Sequence, residues 1–72
     1  MARLTLKERF KYQPPTPDQL PRYEAIRKAA LKFARAIEKN VPEGPAREAS
    51  IIQIEMAVMS ANKVIALEKF TR

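Results

Sequence analysis

PAREASIIQIEMAVMSANKVIALEKF, residues 45–70, has no glycine and no proline after its first residue, and its reading decides the fold. At about 100° per residue, Ile51, Ile54, Val58, Ala61 and Ile65 align along one side of a helix. Ile52, Met56, Met59, Ala66 and Phe70 align along another, roughly 140° around the same cylinder. Glu48, Glu55 and Asn62 form one narrow polar edge between the stripes, and Gln53 and Ser60 form the other. A surface helix needs one apolar stripe. The second predicts a partner for the same helix, and Met56 and Met59 suit such a role as adaptable packing groups. The competing reading packs both stripes inside one protomer, against the preceding helix and the N-terminal arm.

Working back from Pro45, the run Asn40-Val-Pro-Glu-Gly-Pro45 breaks any helix and is short enough to fold the chain on itself. Pro45 suits the first helical position. Before the turn, residues 21–40 carry a single apolar stripe of Tyr23, Ile26, Ala30, Phe33, Ala34 and Ile37, which Val41 continues. Arg27 lies on its edge, while Lys28, Lys32, Arg35 and Lys39 face outward, with Glu24 and Glu38 spaced to pair with some of them.

Further back, Tyr12-Gln-Pro-Pro-Thr-Pro17 cannot be helical and reads as a stiff, polyproline-like strap. Thr16 and Gln19 have capping-box spacing, and Pro21 argues for a turn over 17–20 before the regular helix. Thr5 and Glu8 repeat that spacing ahead of a short helix over about 5–11. So short a helix is unstable alone, so it is expected to dock through Leu6 and Phe10 while presenting Arg3, Lys7, Arg9 and Lys11. The expected architecture is all-α, in a single domain over residues 1–72. It comprises a short helix, an extended loop over 12–20, a helix over about 21–40, a turn at 41–44 and a helix over about 45–70. The two long helices form an antiparallel hairpin that assembles into a homo-oligomer.

Composition narrows the function. Seventy-two residues are near the lower limit for a self-sufficient core. Cys and His are both absent, which excludes disulfides and the usual zinc arrangements. With one glycine, no dinucleotide-fold or phosphate-loop pattern exists. Ser50 and Ser60 fall mid-helix without a nearby general base, so neither catalysis nor a cofactor is expected. No window resembles a membrane span, the charged start is unlike a signal peptide, and the expected location is the cytoplasm. The net charge of +6 resides in residues 1–39, with ten Lys/Arg against four Asp/Glu; residues 40–72 hold four of each. That asymmetry points to an anionic partner.

A nucleotide asks for a flat surface under its base and a cation near its phosphate. Tyr12 can supply the first and Arg27 the second, with Arg9, Lys11 and Lys28 close in sequence. The residues alone leave open that Phe10 is core, that Tyr12 anchors the loop and that Arg27 caps the hairpin. They also leave open a basic helical binder of long nucleic acid and a purely structural interaction module.

The order Arg9-Phe-Lys-Tyr-Gln-Pro-Pro-Thr-Pro17, then Pro21-Arg-Tyr-Glu-Ala-Ile-Arg27, then Glu55-Met-Ala-Val-Met-Ser-Ala-Asn-Lys-Val-Ile-Ala66 resembles the small phage anti-CBASS proteins over roughly residues 8–67. Those proteins act as sponges for cyclic oligonucleotide signals. The resemblance implies an all-helical hexamer in the host cytoplasm that sequesters cyclic dinucleotides, such as cyclic GMP-AMP, at sites shared between protomers, without cleaving them. In many members it also implies cyclic trinucleotide sites near the three-fold axes. It assigns base stacking to Tyr12 and phosphate contact to Arg27, with Lys28 as a neighbouring candidate, and no role for long nucleic acid. Gln13 stands where members often carry His. Leu67 stands where they tend to carry Arg, which moves the demand for a trinucleotide-binding cation onto Lys69 or Arg72.

Overall fold

A computed structural model of the protein describes residues 4–71. Four helices follow in order: α1 (Leu6–Phe10), α2 (Leu20–Asn40), α3 (Pro45–Ala66) and α4 (Glu68–Thr71). There is no strand among the described residues. The fold is a hairpin in which α2 and α3 pack against each other, and α4 follows α3 after a break at Leu67 and contacts it.

Each boundary has a local cause. Thr5 caps α1 reciprocally: the Glu8 N–H donates to Thr5 Oγ1 at 3.1 Å, and the Thr5 N–H donates to Glu8 Oε1 at 2.9 Å. The Thr5 N–H, and to a smaller extent the Thr5 hydroxyl, which donates to Glu8 Oε1 at 2.9 Å, hold the Glu8 carboxyl below its ordinary pKa. A turn over residues 17–19 leads into α2, with Pro21 in its first turn, where the missing N–H is not needed. At the other end of α2, Asn40 Nδ2 donates to the Ala36 carbonyl at 2.7 Å. Arg47, from the first turn of α3, donates Nη1 to the carbonyls of Glu38 and Val41 at 3.2 and 3.5 Å. A cation among the free carbonyls of a helix C-terminus is favourably placed.

Gly44 makes the reversal possible. Its φ of 157° with ψ of 179° lies in a region open almost only to glycine, and no atom lies within 4 Å of where a Cβ would stand. Any cost of a side chain there is therefore backbone strain alone. Gly44→Ala is expected to lower unfolding stability by about 1–2 kcal/mol. An unchanged denaturation midpoint would show that the turn relaxes freely.

The α2–α3 seam is formed by half-buried Ile26, Ala30, Ala34 and Ile37 from α2, facing half-buried Ile51, Ile54, Val58 and Ala61 from α3. Among the described residues, only Ile65 and Leu67 are buried apolar groups. The second stripe stays outside: Ile52, Met56 and Met59 are 45, 61 and 68% exposed, as are Leu31 and Phe33 of α2 at 51 and 59%. Packing both stripes within one protomer is therefore excluded. The accessible surface is 6120 Å². A compact monomer of 8.2 kDa would expose about 4,500 Å². The radius of gyration, 15.2 Å, likewise exceeds the roughly 11 Å of a compact chain this long.

Two expectations are corrected. The last helix does not run through to residue 70, because α3 stops at Ala66 and Leu67 turns the chain with φ −105° and ψ 9°. The turn buries the Leu67 side chain to 5% exposure, and the Ile65 carbonyl accepts from the Gln19 side chain. Phe70 consequently leaves the second stripe. Nor does α1 dock through Leu6 and Phe10, which are 70 and 80% exposed. Among the described residues no other helix packs on α1, and the side chain that reaches it is Lys63, whose Nζ lies 5.6 Å from the centre of the Phe10 ring.

Candidate nucleotide site

The five candidate residues sit on two separate structures. Arg9 belongs to α1, Lys11 follows it, and Tyr12 opens the strap with 78% of its surface exposed. The three prolines that follow allow Tyr12 little backbone freedom relative to the turn at 17–19. An exposed ring on a stiff segment is prepared for stacking, since little order remains to be imposed when a ligand arrives.

Arg27 and Lys28 lie in the third turn of α2. Both border an open groove of about 750 Å³ whose floor includes Ile51, Ile54 and Val58 and whose rim includes Leu31 and Met59. Glu24 and Glu55 complete the charged part of the rim. Lys28 pairs with Glu24 at 3.2 Å, both side chains being largely exposed. Arg27 makes no hydrogen bond or ion pair among the described residues, so its guanidinium fork is available for a bidentate anion. A second apolar groove of about 450 Å³, lined by Ile26, Phe33, Ile37, Ala57 and Ala61 among others, runs along the opposite flank of the hairpin.

Within one protomer the structure brings Arg27 and Lys28 together, but not with Tyr12, Arg9 or Lys11, which line neither groove. The Phe10 ring, open as a core alternative on sequence grounds, is exposed beneath Lys63. Arg3 and Arg72 lie outside the described residues. Lys69 is exposed, with its ammonium 5.1 Å from the centre of the Phe70 ring.

Sequence reasoning missed a polar cluster at the foot of the hairpin. Gln19, 8% exposed, is the one buried polar residue among those described. Its Oε1 accepts from the Thr16 N–H at 3.0 Å, and its Nε2 donates to the Ile65 carbonyl at 3.0 Å and to Glu68 Oε1 at 3.4 Å. Arg22 grips Glu68 in bidentate fashion, both bonds 2.9 Å, which raises the Arg22 pKa further above its ordinary value. The capping-box spacing flagged the local bond from Thr16 to Gln19. Nothing in the sequence marked Gln19 for bonding to residues 46 and 49 positions away.

No cluster of His, Cys, Asp or Glu suited to a metal ion occurs among the described residues, and no helix is long and apolar enough to cross a membrane. What the surface offers is an aromatic face, unpaired cations and open apolar grooves, a combination suited to holding an anionic, base-bearing ligand.

Comparison with known proteins agrees with that chemistry. A family model described as the Acb2/Tad1 hairpin domain matches residues 3–66, nearly the whole chain. No curated protein and no solved structure matches. The protein is a member of the Acb2/Tad1 hairpin-domain family, the anti-CBASS sponges, whose role is to bind cyclic oligonucleotides rather than to transform them.

Proposed function

We propose that this protein is a phage-encoded sponge acting in the host cytoplasm, where it sequesters cyclic dinucleotides such as cyclic GMP-AMP without cleaving them. The binding form is a homo-oligomer, a hexamer by resemblance to its family. Each dinucleotide site is built from two protomers. One base stacks on each Tyr12, one phosphate meets each Arg27, and Lys28, Arg9 and Lys11 add positive field around the pair. The cyclic trinucleotides held by many sponges are a second ligand class, and Lys69 is the described cation that can serve them.

The observation that carries this reading is the incompleteness of a single copy. Its surface is about a third larger than a compact chain of its mass exposes. Its unpaired arginine faces an unfilled apolar groove, while its exposed tyrosine lies elsewhere. A ligand with two bases and two phosphates suits a site that two copies complete.

Calorimetry with a panel of cyclic di- and trinucleotides tests the proposal. Saturable heat is expected for at least one dinucleotide, together with recovery of the intact ligand after the protein is denatured. An assembled protein that gives no heat with any member of the panel would reject it. Binding confined to long DNA or RNA and falling steeply with salt would point instead to a nucleic-acid binder.

A further inference from the structure

A sponge that works by stacking has to hold its aromatic ring still, and α1 cannot supply that restraint. Leu6 and Phe10 are exposed, and Phe10 meets the Lys63 ammonium rather than an apolar surface, so no apolar packing anchors the strap from its N-terminal side. Its anchor lies at the other end. We infer that Gln19, helped by Arg22 and Glu68, is a positioning residue for Tyr12, setting nucleotide affinity through the order of the strap without touching the ligand. The inference rests on the sponge reading above.

The geometry supports a latch. The Gln19 amide uses both of its ends: Oε1 receives the backbone N–H of Thr16, and Nε2 donates to the Ile65 carbonyl in the last turn of α3. Among side chains of this length only an amide does both, because a carboxylate cannot donate and an aliphatic chain can do neither. Glu68 lies beside it, accepting from Gln19 Nε2 and from both terminal nitrogens of Arg22. Gln13 and Pro14 border the same small cleft, about 200 Å³, as Gln19, Ala66 and Glu68. The strap therefore lies along the foot of the hairpin from residue 13 to residue 16. Pro14 and Pro15 fix two φ angles between Thr16 and Tyr12, so restraint at Thr16 is transmitted to the ring.

Gln19→Glu tests this with minimal change of shape. The carboxylate can still receive the Thr16 N–H, but it has nothing to donate to Ile65 and it faces Glu68. In the free protein, ¹⁵N order parameters at Tyr12, Gln13 and Thr16 are expected to fall below about 0.6 while those of α2 and α3 stay near about 0.85. The dissociation constant for cyclic GMP-AMP is expected to rise about tenfold, the effect of reducing the fraction of binding-competent straps. Placed on a Tyr12→Ala background, Gln19→Glu should add less than about twofold, because its effect passes through that ring. Arg22→Ala removes the exposed part of the latch and should move the same readouts by about threefold. It keeps the question open to refutation if Gln19→Glu fails to fold. Unchanged strap order in both variants, or a full tenfold effect without the Tyr12 ring, would overturn the inference and leave the sponge reading standing. A parent protein that binds no cyclic dinucleotide would sink that reading, and Gln19's role in affinity with it.

Discussion

Met56→Glu combined with Met59→Glu is expected to hold the protein as single copies at concentrations where the proposed homo-oligomer of the parent would form. The two methionines are 61 and 68% exposed in the protomer, so the substitutions disturb nothing inside the hairpin. In an assembly that covers the second stripe of α3, each forfeits about 1.5–3 kcal/mol of apolar burial. Each carboxylate introduced there adds a desolvation cost of its own. Together these effects weaken association by at least about a thousandfold, with 1.4 kcal/mol for each factor of ten. Sedimentation equilibrium reads the result, and circular dichroism checks that helices persist. Parent-like assembly by the double variant would mean that copies meet through another face, or that Met56 and Met59 remain in water.

The second large effect concerns the ligand. Arg27→Ala is expected to weaken cyclic dinucleotide binding by about 1.5–3 kcal/mol for each charge-assisted hydrogen bond to phosphate that it removes. Tyr12→Ala is expected to cost about 1–3 kcal/mol for each base left unstacked. The proposed site between two protomers uses each residue twice, so one substitution would change both halves of the pocket. Weakening in calorimetry by about a hundredfold or more is then expected from Arg27→Ala and by about thirtyfold or more from Tyr12→Ala, at 1.4 kcal/mol per factor of ten. Lys32→Ala, on the outward side of α2, serves as a control that subtracts a charge at a position away from the ligand. If Lys32→Ala and Arg27→Ala weaken binding equally, the ligand is responding to net charge, and no localised phosphate site exists.

Much of the hairpin was legible because long helices write their faces into the chain repeatedly. Ile51, Ile54, Val58, Ala61 and Ile65 announce one face five times, and Pro45 after Gly44 announces where that face begins. The break at Leu67 has no such marking, since residues 63–70 contain no glycine or proline. It depends on an amide arriving from Gln19 and on space for the Leu67 side chain, both of which are tertiary facts. Phe10 illustrates the opposite failure. Its spacing from Leu6 promises a packed pair, yet one protomer has no surface placed to receive it. Residue type was enough to nominate Tyr12 and Arg27, but their separation on the protomer could not be read from their proximity in sequence. The pair of grooves flanking the hairpin was equally invisible, because each depends on the width of the gap between α2 and α3.

The two arginines at opposite ends of the hairpin have a mechanical consequence. Arg47 fastens α3 to the carbonyls at the end of α2, and Arg22 fastens the beginning of α2 to Glu68 beyond α3. Neighbouring helices can slip along each other by one turn, about 5.4 Å, at little cost to an aliphatic seam whose residues recur every turn. Here such a slide would tear both fastenings at once. Both fastenings lie on the surface and each is weak alone, but they favour the same axial register of α2 against α3 from either end of the hairpin.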